Sequence, residues 1–249
     1  MRHVQTVMGF PISVDIRDAG DFTEGVASAF DALSDADRRF SSYRRDSEVS
    51  RINRGLHPPA DYSDDLREVL AVGASVQRSS HGAFALRVPG GAGLDTDGVV
   101  KGWAVQRAAD ILARAGAHNF CINAGGDIVV RGNADEHSGW NIGVRSPWDA
   151  TTMIAVFSLH DEAIATSGAY ERGDHIVDGR TGLAAHADLA SVSVIAPSLT
   201  MADVLATAVF ALGADGLEWA VHDYQCSVFA VRSDGSMITA GPLPREAAA

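Results

Sequence analysis

Apolar and polar residues alternate through residues 3–17, as in Thr6-Val7-Met8-Gly9 and Ile12-Ser13-Val14-Asp15-Ile16. A period of two is that of a half-buried strand, so this stretch predicts a hairpin with its bend at Gly9-Phe10-Pro11. The spacing then becomes helical: Phe22, Val26, Phe30 and Leu33 share one face over 21–38, and a short helix follows Asp46 through Val49 and Ile52. A clearer helix spans 63–80. Ser63 can cap it, and Asp64 and Asp65 stand where the helix dipole favours them. A glycine-rich stretch from Gly82 to Gly98 leads into a helix from about Val99 to Ala115, stopped by Gly116. Residues 118–160 read as successive strands with turns at Gly125-Gly126, Gly132-Asn133 and Ser146-Pro147. A strand over 189–196, a helix from about Thr200 to Leu212 ended by Gly213, one more short helix and two strands complete the pattern. The tail Arg245–Ala249 is expected to fray.

Length and composition narrow the classes. With 249 residues, 46% of them hydrophobic, the chain can bury one large core or two small ones. Its net charge of −12 argues against a nucleic-acid binder, which carries a basic face. The same charge means that any phosphate ligand needs a local cation, a metal or backbone amides. Cys121 and Cys226 form no C-x-x-C pair and read as buried free thiols. The N-terminus lacks an apolar signal core and no apolar run reaches membrane-spanning length, so a cytoplasmic location without membrane contact is expected.

Four clusters offer chemistry. In Leu94-Asp95-Thr96-Asp97-Gly98-Val99-Val100-Lys101-Gly102, two carboxylates and a glycine precede a helix with a lysine in its first turn. A helix start of this kind attracts phosphate, although aspartates there also serve as plain caps. In the second, Asp203 and Thr207 are four residues apart and share a helix face. That face offers a hard cation a carboxylate and a hydroxyl; alternatively, Asp203 answers the dipole and Thr207 bonds back to a carbonyl. The third, Ala165-Thr166-Ser167-Gly168 with His175 to Gly182, can hold a general base near a phosphate contact, or be an ordinary polar hairpin. The fourth, Asn123-Ala124-Gly125-Gly126-Asp127, is a tight connection that permits close backbone approach, or a plain hairpin. Gly90-Gly91-Ala92-Gly93 lacks the spacing of a dinucleotide fingerprint.

Taken in order, these segments resemble the ApbE family of FAD:protein FMN transferases, together with Met8-Gly9, Arg39-Phe40-Ser41-Ser42-Tyr43, the run from Asp46 to Asn53, and Gly82-Ala83-Phe84. The resemblance covers about residues 8 to 213. It implies an α+β fold, a single domain over 1–249 with mixed β-sheets flanked by helices. It also implies magnesium-dependent transfer of FMN from FAD to a threonine or serine hydroxyl of an acceptor flavoprotein, with release of AMP. By position, Met8, Tyr43, Ala83, Phe84, Ala85, Asp95, Lys101 and Val177 would contact the flavin nucleotide. The Gly98 carbonyl, Asp203 and Thr207 would hold Mg²⁺, and His175 would be the base. Two alternatives share the site: an FAD pyrophosphatase, with water as acceptor, and a non-catalytic FAD carrier.

The chain departs from the family pattern in four places. Ala85-Leu86 replaces the usual Asp-Pro after Gly-Ala-Phe. Only Leu86 to Leu94 fill the gap before Asp95, where a longer insert is usual. Gly179 stands at a usual proline, and Asp97 at a usual glycine.

Overall fold

The N-terminal alternation becomes strands β1 (Arg2–Val7) and β2 (Phe10–Ile16), paired antiparallel with Val7 opposite Phe10. The computed structural model describes residues 1–87, 90, 93–168, 176–185 and 188–245. The bend lies at Met8-Gly9, one residue earlier than the glycine and proline suggest. Both turn residues take positive φ, 56° and 84°, the pattern that follows the twist of a two-residue hairpin. Pro11 precedes the first β2–β3 pair, Ile12 with Ala124, so its missing N–H removes no bond from that ladder.

Helices α1 (Thr23–Phe40), α2 (Glu48–Asn53) and α3 (Asp64–Ser79) follow. The Ser63 hydroxyl accepts the Leu66 N–H at 3.1 Å, the cap expected of it. It also donates to Glu48 at 2.7 Å, tying the start of α3 to the start of α2. Helix α4 (Asp97–Arg114) begins two residues before the spacing suggests. Strands β3 (Phe120–Ala124), β4 (Asp127–Arg131), β5 (Trp140–Arg145), β6 (Met153–Leu159), β7 (Ala163–Gly168) and β8 (Leu189–Ala196) come next. Helices α5 (Leu199–Leu212) and α6 (Asp215–Tyr224) and strands β9 (Ser227–Arg232) and β10 (Met237–Ala240) end the order.

The fold class is α+β, as the resemblance implies. Eight strands form one sheet in the order β1-β2-β3-β4-β7-β8-β9-β10, and β5 and β6 form a separate ribbon. Successive side chains of the central strands point to opposite faces. Val129, Ala163, Ala165, Val194, Val228 and Ala230 face the helical core. Their neighbours Ile128, Val130, Ile164, Ile195, Phe229 and Val231 pack beneath the β5–β6 ribbon. A strand covered on both faces shows no apolar–polar alternation. This is why β7 is not apparent as a strand in the sequence. No helix among the described residues is long and apolar enough to cross a membrane.

The helical layer turns on the crossing of α4 and α5. A Cβ added at Gly102 would lie 2.5 Å from the Leu199 carbonyl oxygen and 2.6 Å from Asp203 Cβ. In an exposed helix interior, alanine is favoured over glycine by about 1 kcal/mol. Here the sign reverses, because the added methyl forces the helices apart. Gly102→Ala is expected to cost about 1–3 kcal/mol in denaturant unfolding, the scale of overpacking. A neutral or stabilising outcome would show that the helices do not cross this closely.

Candidate active site

The approach to α4 is fastened by side chains remote in sequence. Asn53, at the end of α2, donates through Nδ2 to the Leu94 carbonyl at 2.9 Å and accepts the Leu94 N–H at 2.7 Å. The Asp95 N–H donates to the Leu86 carbonyl at 2.8 Å, joining the Gly-Ala-Phe segment to the helix start. Asp95 Oδ1 accepts the Asp97 N–H at 2.9 Å, so its carboxylate also fills the capping role that the Thr96 side chain leaves open. Thr96 Oγ1 is buried and meets no partner among the described residues.

Behind the helix start lies a row of charge. Asp203, 4% exposed, accepts the Gly102 N–H through Oδ2 at 2.7 Å. Lys101 Nζ stands 3.8 Å from Asp203 Oδ1 and 2.6 Å from Asp127 Oδ2. Asp127 is 2% exposed, and its Oδ1 accepts the Thr166 N–H at 3.2 Å. Asp127 Oδ2 accepts no hydrogen bond of regular geometry, but 2.6 Å is ion-pair contact. One turn beyond Asp203, Thr207 Oγ1 lies 3.3 Å from both the Asp203 carbonyl and Ser167 Oγ. The back-bond to a carbonyl, one of the two readings of Thr207, is therefore present, and it is long.

A further wall comes from residues 176–185. The Gly179 N–H donates to the Ala83 carbonyl at 2.8 Å. A Cβ at Gly179 would sit 2.5 Å from Ala85 Cβ and 2.5 Å from the Gly82 carbonyl oxygen. Two of the chain's departures from the family pattern thus touch each other: with Ala85 placed here, only glycine fits at 179 without a shift. Asp178 and Arg180 pair at 2.7 Å. That guanidinium hydrogen bond is the main cause holding the Asp178 carboxyl below its ordinary value.

These elements enclose a cleft of about 510 Å³. Met8, Tyr43, Ala83, Phe84, Ala85, Asp95, Gly98, Lys101, Val177, Asp203 and Thr207 all line it. Tyr43 stands at its mouth, 91% exposed. His175 lies outside the described residues; Ile176, next in the chain, lines the cleft. Sequence reasoning did not single out Phe10, Asp37, Ser167 or Ile176 as lining residues, nor Asp127 as the partner of Lys101. Phe10 follows the Met8-Gly9 motif, and Ser167, Ile176 and Asp127 lie inside motif segments, but linear spacing shows no such contact. A second depression, of about 370 Å³, is lined by Asp35, Arg38, Arg39, Glu48 and His57. Several of its charges answer one another: Arg38 and Arg39 pair with Asp35, and His57 meets Glu48 at 3.3 Å.

The donors present suit a hard cation. Asp203 gives a buried carboxylate, Thr207 a hydroxyl in long hydrogen bonds, and Gly98 a helix start where a Cβ would press the Phe84 ring at 3.0 Å. No group of three or more His, Cys, Asp or Glu among the described residues is arranged to hold a metal. A cation at this cleft would therefore rest on mixed oxygen donors, the set magnesium takes. The cysteines take no part. Burial pushes the Cys121 thiol up to about 12 and Cys226 to about 11, so neither is a nucleophile at neutral pH.

The sheet with its helical layer is the fold of solved flavin transferases. The Vibrio cholerae flavin transferase ApbE superposes with a TM-score of 0.82 at 21% identity, over 98% of this chain and 96% of that one. The apo Pseudomonas stutzeri flavinyl transferase ApbE gives 0.82 at 23%, over 98% and 94%. The chain belongs to the ApbE family, whose model matches residues 8–89 and 85–230. The FAD:protein FMN transferase of Haemophilus influenzae is 25% identical over 83% of this chain and 78% of that protein. That of Treponema pallidum is 36% identical over 48% of this chain, which spans only 38% of its length.

The Asp178–Arg180 pair gives a pH test of the 176–185 wall. A carboxyl whose folded pKa is depressed stabilises the fold above its unfolded value, 3.8, and loses that contribution as pH falls through the folded value. NMR titration of Asp178 is expected to give a value below 3.8, rising in Arg180→Gln. Identical titrations in both proteins would show that the pair does not persist in solution.

Proposed function

We propose that this chain, acting as one domain over residues 1–249, transfers FMN from FAD to a serine or threonine hydroxyl of an acceptor protein and releases AMP. One observation carries the reading. In a chain that belongs to the ApbE family, every described residue assigned by resemblance to flavin nucleotide or metal lines the same cleft.

The acceptor oxygen attacks the FMN-side phosphorus of the FAD pyrophosphate. A phosphorus–oxygen bond forms to the hydroxyl, and the bond to AMP breaks. A cation on the Gly98 carbonyl, Asp203 and Thr207 would supply positive charge against the pyrophosphate and its leaving oxygen. The Lys101 ammonium and the N-terminal end of α4 add to that field from the protein side. Tyr43, at the mouth, is free to lie against an aromatic ring system. The hydroxyl is a weak nucleophile and its proton needs a base. His175 is proposed for this role: the adjacent Ile176 lines the cleft, and imidazole titrates near neutrality.

Incubation with FAD, Mg²⁺ and a threonine-bearing acceptor flavoprotein tests the reaction. Flavin fluorescence that stays on the acceptor through denaturing electrophoresis is the expected result. Free FMN with AMP would mean a pyrophosphatase, and intact bound FAD a carrier. Asp203→Ala is expected to abolish magnesium-dependent turnover in a folded protein; activity at ordinary magnesium would leave Asp203 a structural role alone. His175→Ala should still bind FAD but transfer about 10²-fold or more slowly. Collapse of FAD binding in that variant would make His175 a ligand contact instead.

A further inference from the structure

Lys101 stands between two buried carboxylates and is nearer one of them. Its Nζ is 2.6 Å from Asp127 Oδ2 and 3.8 Å from Asp203 Oδ1. Both carboxylates are fixed from behind by main-chain donors, Asp127 by the Thr166 N–H at 3.2 Å and Asp203 by the Gly102 N–H at 2.7 Å. Neither can follow the ammonium, whereas the lysine stem is flexible. Both anions therefore pull on Nζ, Asp127 from the shorter distance, and Coulomb attraction in a buried setting is weakly screened. Asp127 enters β4 directly from the Gly125-Gly126 turn, whose glycines take φ of 65° and 106°, and this brings its carboxylate under α4.

We propose that Asp127 is a positioning residue that tunes how tightly the cleft takes a divalent cation, by drawing the Lys101 ammonium off Asp203. The inference rests on the reading of Asp203 as a cation ligand. With Asp127 charged, the three groups sum to one negative charge, and the ammonium stays on the Asp127 side of Asp203, which lines the cleft. With Asp127 neutral, the ammonium has Asp203 as the stronger of the two partners. It then competes with the cation for the same oxygens, and the sum of charge falls to zero.

The test is Mn²⁺ binding to the FAD-free protein, read from the electron paramagnetic resonance signal of free Mn²⁺, so it does not depend on turnover. Asp127→Asn keeps the side-chain volume and an oxygen for the Thr166 N–H. It is expected to weaken Mn²⁺ binding about tenfold or more, the usual scale for partners that orient metal ligands. Asp127→Glu should recover part of the loss. Adding Lys101→Met to Asp127→Asn should move affinity back toward wild type, because the competitor is gone. Lys101→Met alone should bind Mn²⁺ more tightly than wild type, and this arm carries the test should Asp127→Asn fail to fold. Equal binding by wild type and Asp127→Asn, or weaker binding by Lys101→Met, overturns the inference while leaving the cation site standing. No Mn²⁺ binding by the wild-type protein overturns both.

Discussion

The helical layer is pinned at its centre by a backbone against a carboxylate. Where α4 crosses α5, the Gly102 N–H donates to Asp203 at 2.7 Å, and no Cβ fits between them. One turn back along α4 and one turn on along α5, a Cβ at Gly98 would lie 3.7 Å from Thr207 Cγ2. The two helices therefore run antiparallel in a fixed register, set by two glycines on one and two oxygen-bearing side chains on the other. The proposed cation donors are brought together by this packing, and the same packing carries Lys101 to the floor of the cleft. The geometry of the proposed site and the helix packing are one constraint here, so a change that loosens the crossing also disperses those residues.

Electrostatics works locally against the whole-chain charge. A protein of net charge −12 repels a pyrophosphate at a distance. Beyond a Debye length of about 8 Å at physiological salt, however, exposed charges are largely screened, and the groups within the cleft dominate. There the helix start, Lys101 and a proposed cation would face the pyrophosphate. Three carboxylates around it are committed: Asp127 to Lys101 and the Thr166 N–H, Asp178 in the adjoining wall to Arg180, and Asp95 to the Asp97 N–H. These three acidic residues thus position cations or cap backbone.

Much of this was legible in the sequence where one physical rule acted on neighbouring residues. Ser63 and the two aspartates after it announced α3, and Gly213 announced the end of α5. Features that depend on distant chain escaped. The hairpin bend moved to Met8, which takes a φ that propensity reserves for glycine and asparagine. Strand β7 shows no alternation because the helical layer covers one face and the β5–β6 ribbon the other. Helix α4 began early because Asp95, two residues ahead of it, supplied the cap. At the site, family resemblance identified residues whose roles spacing alone left open. The Lys101–Asp127 pair joins residues 26 apart through a sheet order that no local pattern encodes. The contact of Ala85 with Gly179, too, could be recognised only once the 176–185 segment was seen against Gly82 and Ala83.

A crystal structure of the protein with FAD and Mn²⁺, with anomalous scattering used to locate the metal, decides where cation and pyrophosphate sit. One strong anomalous peak is expected at metal–oxygen distance, about 2.0–2.3 Å, from the Gly98 carbonyl, Asp203 and Thr207, with the FAD pyrophosphate against it and the flavin reaching Tyr43. A pyrophosphate bound elsewhere, or a cation held away from the α4–α5 crossing, would contradict it.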